Sequence, residues 1–127
     1  MNTKYLMVAS AVVMGLIGIS CTFFPQEIIA SISGSETTFP VLILQVLGAL
    51  YLGFAMMNWM AKTVLIGGIY ARPLAMGNLM HFAIAGIALL KAAMQYTALS
   101  YLWFICLIYV LFALLFTYVF VTSPVKK

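Results

Sequence analysis

Carboxylates are nearly missing from this chain: Glu27 and Glu36 are its only acidic residues, against six Lys and Arg and a single His in 127 residues. Charged residues make up 6% of the sequence and apolar residues 66%, whereas soluble domains hold about 25% and about 45–50%. Water is therefore not the main solvent of this protein. The shortage of ligating groups excludes further chemistry. A zinc site needs three or four Cys, His or carboxylate ligands, and one His with no carboxylate in any apolar run does not supply them. A proton-coupled exporter places an Asp or Glu at mid-membrane depth, and both acidic residues here lie between apolar runs. A general base also needs a partner that orients it, so catalysis has little support, and the residues themselves require no cofactor.

What the chain does have is long apolar runs. A span needs about 20 predominantly apolar residues to cross roughly 30 Å of hydrocarbon, and four fit here, over about 5–24, 40–62, 73–91 and 101–121. Pro25 stops the first. Pro40 suits the first turn of the second, with Thr38 as its cap. Arg72 and Pro73 open the third, which reaches about Lys91, and Pro124 with Lys126 and Lys127 closes the fourth. The expected fold is all-α: one transmembrane domain over residues 1–127, built as an integral membrane four-helix bundle. The first run is read as a retained helix. The segment Gly18-Ile19-Ser20-Cys21 fits a lipoprotein leader poorly, since Gly18 stands where Leu is usual and Thr22-Phe23-Phe24 follows where a polar segment is usual.

Charge placement sets the expected topology. Lys4, Lys62, Arg72, Lys126 and Lys127 fall on one side, Lys91 on the other, and the glutamates in the connection between the first two spans. By the positive-inside rule both termini and the 2–3 connection face the cytoplasm, N-in and C-in. The basic residues are topology anchors rather than a nucleic-acid site, and Trp59, Tyr70, Tyr96, Tyr101 and Trp103 form aromatic belts at the two interfaces. The connection 25–39 reads as an exposed polar loop with one short amphipathic turn at Ile28, Ile29 and Ile32. Residues 63–70, apolar around Gly67-Gly68, are helical, interfacial or re-entrant; the sequence does not choose.

Polar side chains in hydrocarbon seek partners, so Gln45, Asn58, Asn78 and His81 are expected to face the bundle interior. At ~1.5 Å per residue, Asn58 and Asn78 lie ~6 and ~8 Å from the inner ends of their helices and are at matching depths for a shared hydrogen bond. The same count places His81, Tyr51 and Tyr109 near the midplane. These three form the candidate polar core, and Asn78 and His81 are read either as inter-helix glue or as a ligand or proton-handling site. Asn78, His81, Ala85, Ala88 and Ala92 share one predicted face of the third helix, and Gly48, Ala49, Gly53 and Ala55 supply small residues to the second. Cys21 and Cys106 agree in depth to within ~3 Å. They are read as a thiol pair if the first and last helices are neighbours, or as inert apolar filler.

The first helix ending at Phe24-Pro25 with Glu27, the polar connection, and the run Leu47-Gly48-Ala49-Leu50-Tyr51-Leu52-Gly53 resemble the first half of the DoxX- and DoxD-like group of small four-helix bacterial membrane proteins. The resemblance covers about 40 residues; Tyr70-Ala71-Arg72-Pro73-Leu74 with Asn78 and His81 lies outside it. It implies a bacterial cytoplasmic membrane and a link to thiol or quinone redox complexes, with quinone as the implied cofactor. The leading expectation is a non-catalytic accessory or assembly subunit whose partners are the lipid bilayer and another membrane subunit or a second copy. The rivals are an oligomeric small-molecule transporter or channel lined by the polar core, and a quinone-binding or thiol-redox protein using His81 with Tyr109, or Cys21 with Cys106.

Overall fold

The computed structural model describes residues 3–34, 38–64 and 71–122. Their regular elements are all helical: α1 (Thr3–Phe23), α2 (Pro25–Ser33), α3 (Thr38–Met60) followed by a 3-10 turn at Ala61–Thr63, α4 (Arg72–Gln95) and α5 (Tyr101–Thr122). Four of them, α1, α3 with its turn, α4 and α5, are long and apolar enough to cross a membrane. The chain divides into two compact units, 1–63 and 64–127, each organised around one antiparallel helix pair.

The first unit is the α1/α3 hairpin with α2 at its turn. Proline disfavours helical geometry in the residue before it and lacks the amide that a continuing helix would use. Phe24 accordingly leaves the helical region at φ −124°, ψ 40°, and Pro25 restarts the chain at the first turn of α2. The connection expected as a loop is therefore mostly helix. Glu27 lies in the first turn of α2, where a carboxylate suits the helix dipole. Gly34 ends α2 at φ 70°, its amide donating to the Ala30 carbonyl at 2.9 Å, a left-handed closure that glycine accommodates without a Cβ penalty.

Thr38, expected as a cap, is the first residue of α3, and Pro40 sits in its first turn as expected. Contacts along α1 and α3 run in opposite chain directions: a Cβ on Gly18 would meet Leu52 and Gly48, one on Gly15 would meet Ala55, and Asn58 reaches Ser10. The buried residues of α1, Leu6, Met7, Ser10, Ala11, Met14, Gly18 and Cys21, recur at three- and four-residue intervals facing α3.

The second unit pairs α4 with α5. Arg72 and Pro73 open α4 as expected, but the helix continues four residues past Lys91 to Gln95, since Ala92, Ala93, Met94 and Gln95 are all good helix formers. Tyr96 closes it with its amide on the Ala92 carbonyl, and amide bonds from Leu99 to Tyr96 and from Leu102 to Leu99 turn the chain into α5. The buried face of α4 is Ala75, Asn78, Phe82, Gly86 and Ala93. It shares Asn78 with the expected face but passes through Phe82 and Gly86, leaving Ala88 exposed and Ala85 and Ala92 half-buried. Packing against α5 selects the large ring over the alanine stripe. The alternatives for the 2–3 connection concern residues that, from 65 to 70, lie outside the described ones, as do Glu36, Pro124, Lys126 and Lys127.

Candidate functional site

In the α1/α3 hairpin the polar centre is Asn58, fully buried near the C-terminal end of α3. Its Nδ2 donates to Ser10 Oγ at 3.1 Å and approaches Met14 Sδ at 3.7 Å. Ser10, itself fully buried, donates to the Met7 carbonyl at 3.0 Å. Ser10 thus relays between a side chain on the facing helix and a backbone carbonyl of its own, which keeps Asn58 from facing hydrocarbon unsatisfied. Further along the same seam, Gly18 and Gly48 bring the two backbones together. A Cβ on Gly48 would collide with the Thr22 hydroxyl and fall 2.8 Å from the Thr22 amide nitrogen, closer than real Cβ atoms are found, and 3.0 Å from the Gly18 carbonyl oxygen. The Thr22 hydroxyl is enclosed at this crossing and has no hydrogen-bond partner among the described residues. Tyr51 is buried on the same face of α3, Gln45 is half-buried towards the start of that helix, and Cys21 is a buried free thiol near the end of α1.

The opposite face of α3 is different in kind. Val46, Ala49, Leu50, Gly53, Phe54 and Met57 line an open apolar groove, and a Cβ on Gly53 would meet nothing within 4 Å. Of the four small residues expected to act together on this helix, Gly48 and Ala55 face α1, while Ala49 and Gly53 lie on the groove side.

In the α4/α5 hairpin the centre is aromatic. Phe82, fully buried, stacks on Phe112 with ring centroids 4.8 Å apart and on Phe116 at 5.8 Å, and meets Tyr109 edge-on at 5.3 Å. His81, half-buried, lies beside this cluster with its ring 5.9 Å from that of Tyr109. Of the three residues in the expected polar core, His81 and Tyr109 lie together in this hairpin, beside Phe82, and Tyr51 belongs to the other unit. Asn78, also fully buried, donates from Nδ2 to the Leu74 carbonyl of its own helix at 3.0 Å. Cys106, a buried free thiol, points its sulfur at the Gly86 carbonyl at 3.9 Å, the glycine having brought the α4 backbone close to α5.

Ser10, Met14, Phe82, Phe112 and Phe116 were not anticipated from the sequence. Their signal is spacing: Met7, Ala11, Met14, Gly18 and Cys21, and likewise Ala75, Asn78, Phe82 and Gly86, step by three or four along one face. Chemically, the arrangement offers an imidazole and a phenol on one hairpin and an amide-hydroxyl pair on the other. Among the described residues no three His, Cys, Asp or Glu side chains converge to hold a metal ion.

Compared with known proteins, the chain matches no family model, no curated protein and no solved structure.

Proposed function

We propose that this multi-pass protein is a non-catalytic accessory or assembly subunit of a membrane complex, in the bacterial cytoplasmic membrane and serving a redox system. The observation that carries the reading is the use made of its buried polar side chains. Asn58 holds α3 to α1 through Ser10, and Asn78 donates to a carbonyl of α4. On the exposed faces the Ser20, Thr117 and Thr122 hydroxyls likewise donate to carbonyls of their own helices. Hydrogen bonds of this kind fix helices and leave apolar outer surfaces, the chemistry of a component that packs among other spans. The excess of basic residues around the 2–3 connection supports an N-in, C-in orientation, and the DoxX-like run on α3 is what supports the bacterial and redox setting.

Native mass spectrometry of the protein extracted gently from its own membrane tests this reading. A stoichiometric complex with a different membrane subunit, carrying lipid alone, is the expected result. A homo-oligomer that retains a small molecule overturns it in favour of a transporter or ligand binder.

One geometric feature favours a second reading. His81 and Tyr109 stand 5.9 Å apart, ring to ring, beside the buried Phe82, and an imidazole and a phenol suit the carbonyl oxygens of a quinone. On this reading a quinone co-purifies with the wild type and is lost in both His81→Ala and Tyr109→Phe; retention in both variants removes it.

A further inference from the structure

Each hairpin ends, on the side joined by residues 64–71, in a cation seated on an aromatic ring. In the first, Lys62 of the 3-10 turn places its Nζ 3.4 Å from the centroid of the Trp59 ring. In the second, the Arg72 guanidinium carbon lies 5.9 Å from the centroid of Phe120, on the last turn of α5. Lys4, near the start of α1, shares the end of the antiparallel α1/α3 pair that carries Lys62. The chain's only two glutamates, Glu27 and Glu36, lie in the segment joining the other ends of α1 and α3. Among the described residues, the acidic side chain of the first unit, Glu27, sits on α2, at the other end of the α1/α3 pair from Lys62, and residues 64–127 contain no Asp or Glu.

A cation on an aromatic face has its stem fixed and one hemisphere covered, while the rest of its donors point outward. Trp59 is about half exposed (47%), and Trp at a span end belongs at headgroup depth. We propose that Lys62 on Trp59 and Arg72 on Phe120 are headgroup clamps for anionic phospholipid, each taking a lipid phosphate on the open side of the cation. The choice of an anionic over a zwitterionic lipid follows from charge. Within each unit, no described carboxylate lies at the end that carries the cation, and the positive charge there is one that a phosphatidylglycerol headgroup neutralises and a phosphatidylcholine headgroup, with its own quaternary ammonium, does not. The aromatic seats distinguish the clamps from Lys91, an exposed cation near the opposite end of α4.

The test uses purified full-length protein in detergent, where binding does not depend on how the chain inserts. Equal amounts of phosphatidylglycerol and phosphatidylcholine with the same acyl chains are added, and retained lipid is counted by native mass spectrometry. Phosphatidylglycerol is expected to be retained preferentially, with the preference falling about fivefold for each of Lys62→Gln and Arg72→Gln, the effect of one basic residue at an anionic surface. Lys62→Arg is expected to keep the preference, and Lys91→Gln to leave it unchanged. Should the glutamine variants not fold, the wild-type protein answers alone, because a preference built on exposed charge weakens as ionic strength rises. Equal retention of the two lipids, a preference indifferent to salt, or an equal loss in Lys91→Gln overturns the proposal.

Discussion

Where α1 crosses α3, backbone meets backbone; where α4 meets α5, rings fill the space. At the first crossing a Cβ on Gly18 would lie 2.9 Å from the Leu52 amide nitrogen and 3.0 Å from the Gly48 carbonyl oxygen. At the second, Phe82 is enclosed by Tyr109, Phe112 and Phe116, and a Cβ on Gly86 would sit at an ordinary 3.7 Å from the Tyr109 Cβ. Lipid tails are as apolar as leucine, so in a membrane neither hairpin would gain from hiding apolar surface, and each would depend on close packing and hydrogen bonds between helices. The first obtains packing by removing side chains, the second by interdigitating large ones. The difference predicts how each fails. In the glycine seam backbone as well as side-chain atoms stand in the way of a Cβ, whereas an aromatic seam loses contacts one ring at a time.

The sharpest way to break the comparison is to place a side chain in the first seam. Gly48→Leu must displace the Thr22 amide and the Gly18 carbonyl, both backbone, and should cost about 3 kcal/mol or more, at or beyond the top of the usual overpacking range. Gly53→Leu, on the same helix but over open space, is its control and should leave stability within about 0.5 kcal/mol. With one tryptophan in each hairpin, Trp59 and Trp103, the single-tryptophan backgrounds Trp103→Phe and Trp59→Phe allow each unit to be followed separately by fluorescence during SDS-driven unfolding in mixed micelles. If Gly48→Leu unfolds no more readily than Gly53→Leu, the seam is not what holds α1 to α3.

Phe82→Ala tests the second hairpin. In a soluble core a Phe→Ala change costs about 3–5 kcal/mol, part of it the transfer of apolar surface from water. In lipid that part is missing, leaving the lost dispersion contacts and the void, so about 2 kcal/mol is expected, read at Trp103. A loss as large as that of Gly48→Leu would erase the proposed distinction between the seams.

These seams explain what could be read from the sequence and what could not. Span number and approximate limits follow from the length of apolar runs, because that signal needs only the thickness of hydrocarbon; Tyr101–Thr122 and Thr3–Phe23 lie close to their expected limits. Which face of each helix is buried does not follow from apolarity, since the outside is as apolar as the inside. Leu16, Ile87 and Leu107 are exposed and would look like core in a soluble protein. Small residues mark the faces only ambiguously: Gly48 and Ala49 are neighbours in sequence, yet one meets α1 and the other the open groove. On α4 the alanines drew the expected face towards Ala85 and Ala88, while Phe82, one step from His81, occupied the real one. Depth counting, which needs only rise per residue, puts His81, Tyr51 and Tyr109 at one level, and two of the three, His81 and Tyr109, stand 5.9 Å apart ring to ring. Ser10 was not, because a serine in a helix ordinarily bonds its own backbone, and only the register of α1 on α3 shows that it also receives Asn58.

That last contact gives the smallest expected effect. Asn58→Ala and Ser10→Ala each remove one member of the 3.1 Å pair, but each also removes something else: the first leaves a cavity beside Met14 Sδ, the second deletes the bond from Ser10 to the Met7 carbonyl. Single-variant losses therefore overstate the pair, and a double-mutant cycle isolates it. Hydrogen bonds between membrane helices are worth about 0.6 kcal/mol on average and rarely more than about 1.7, so a coupling energy near the average is expected for Ser10 and Asn58, read at Trp59. A coupling near zero would mean that glycine contact alone sets the α1/α3 register. A coupling well above the usual ceiling would make the polar pair, and not the absence of side chains at Gly18 and Gly48, the dominant difference between the two hairpins.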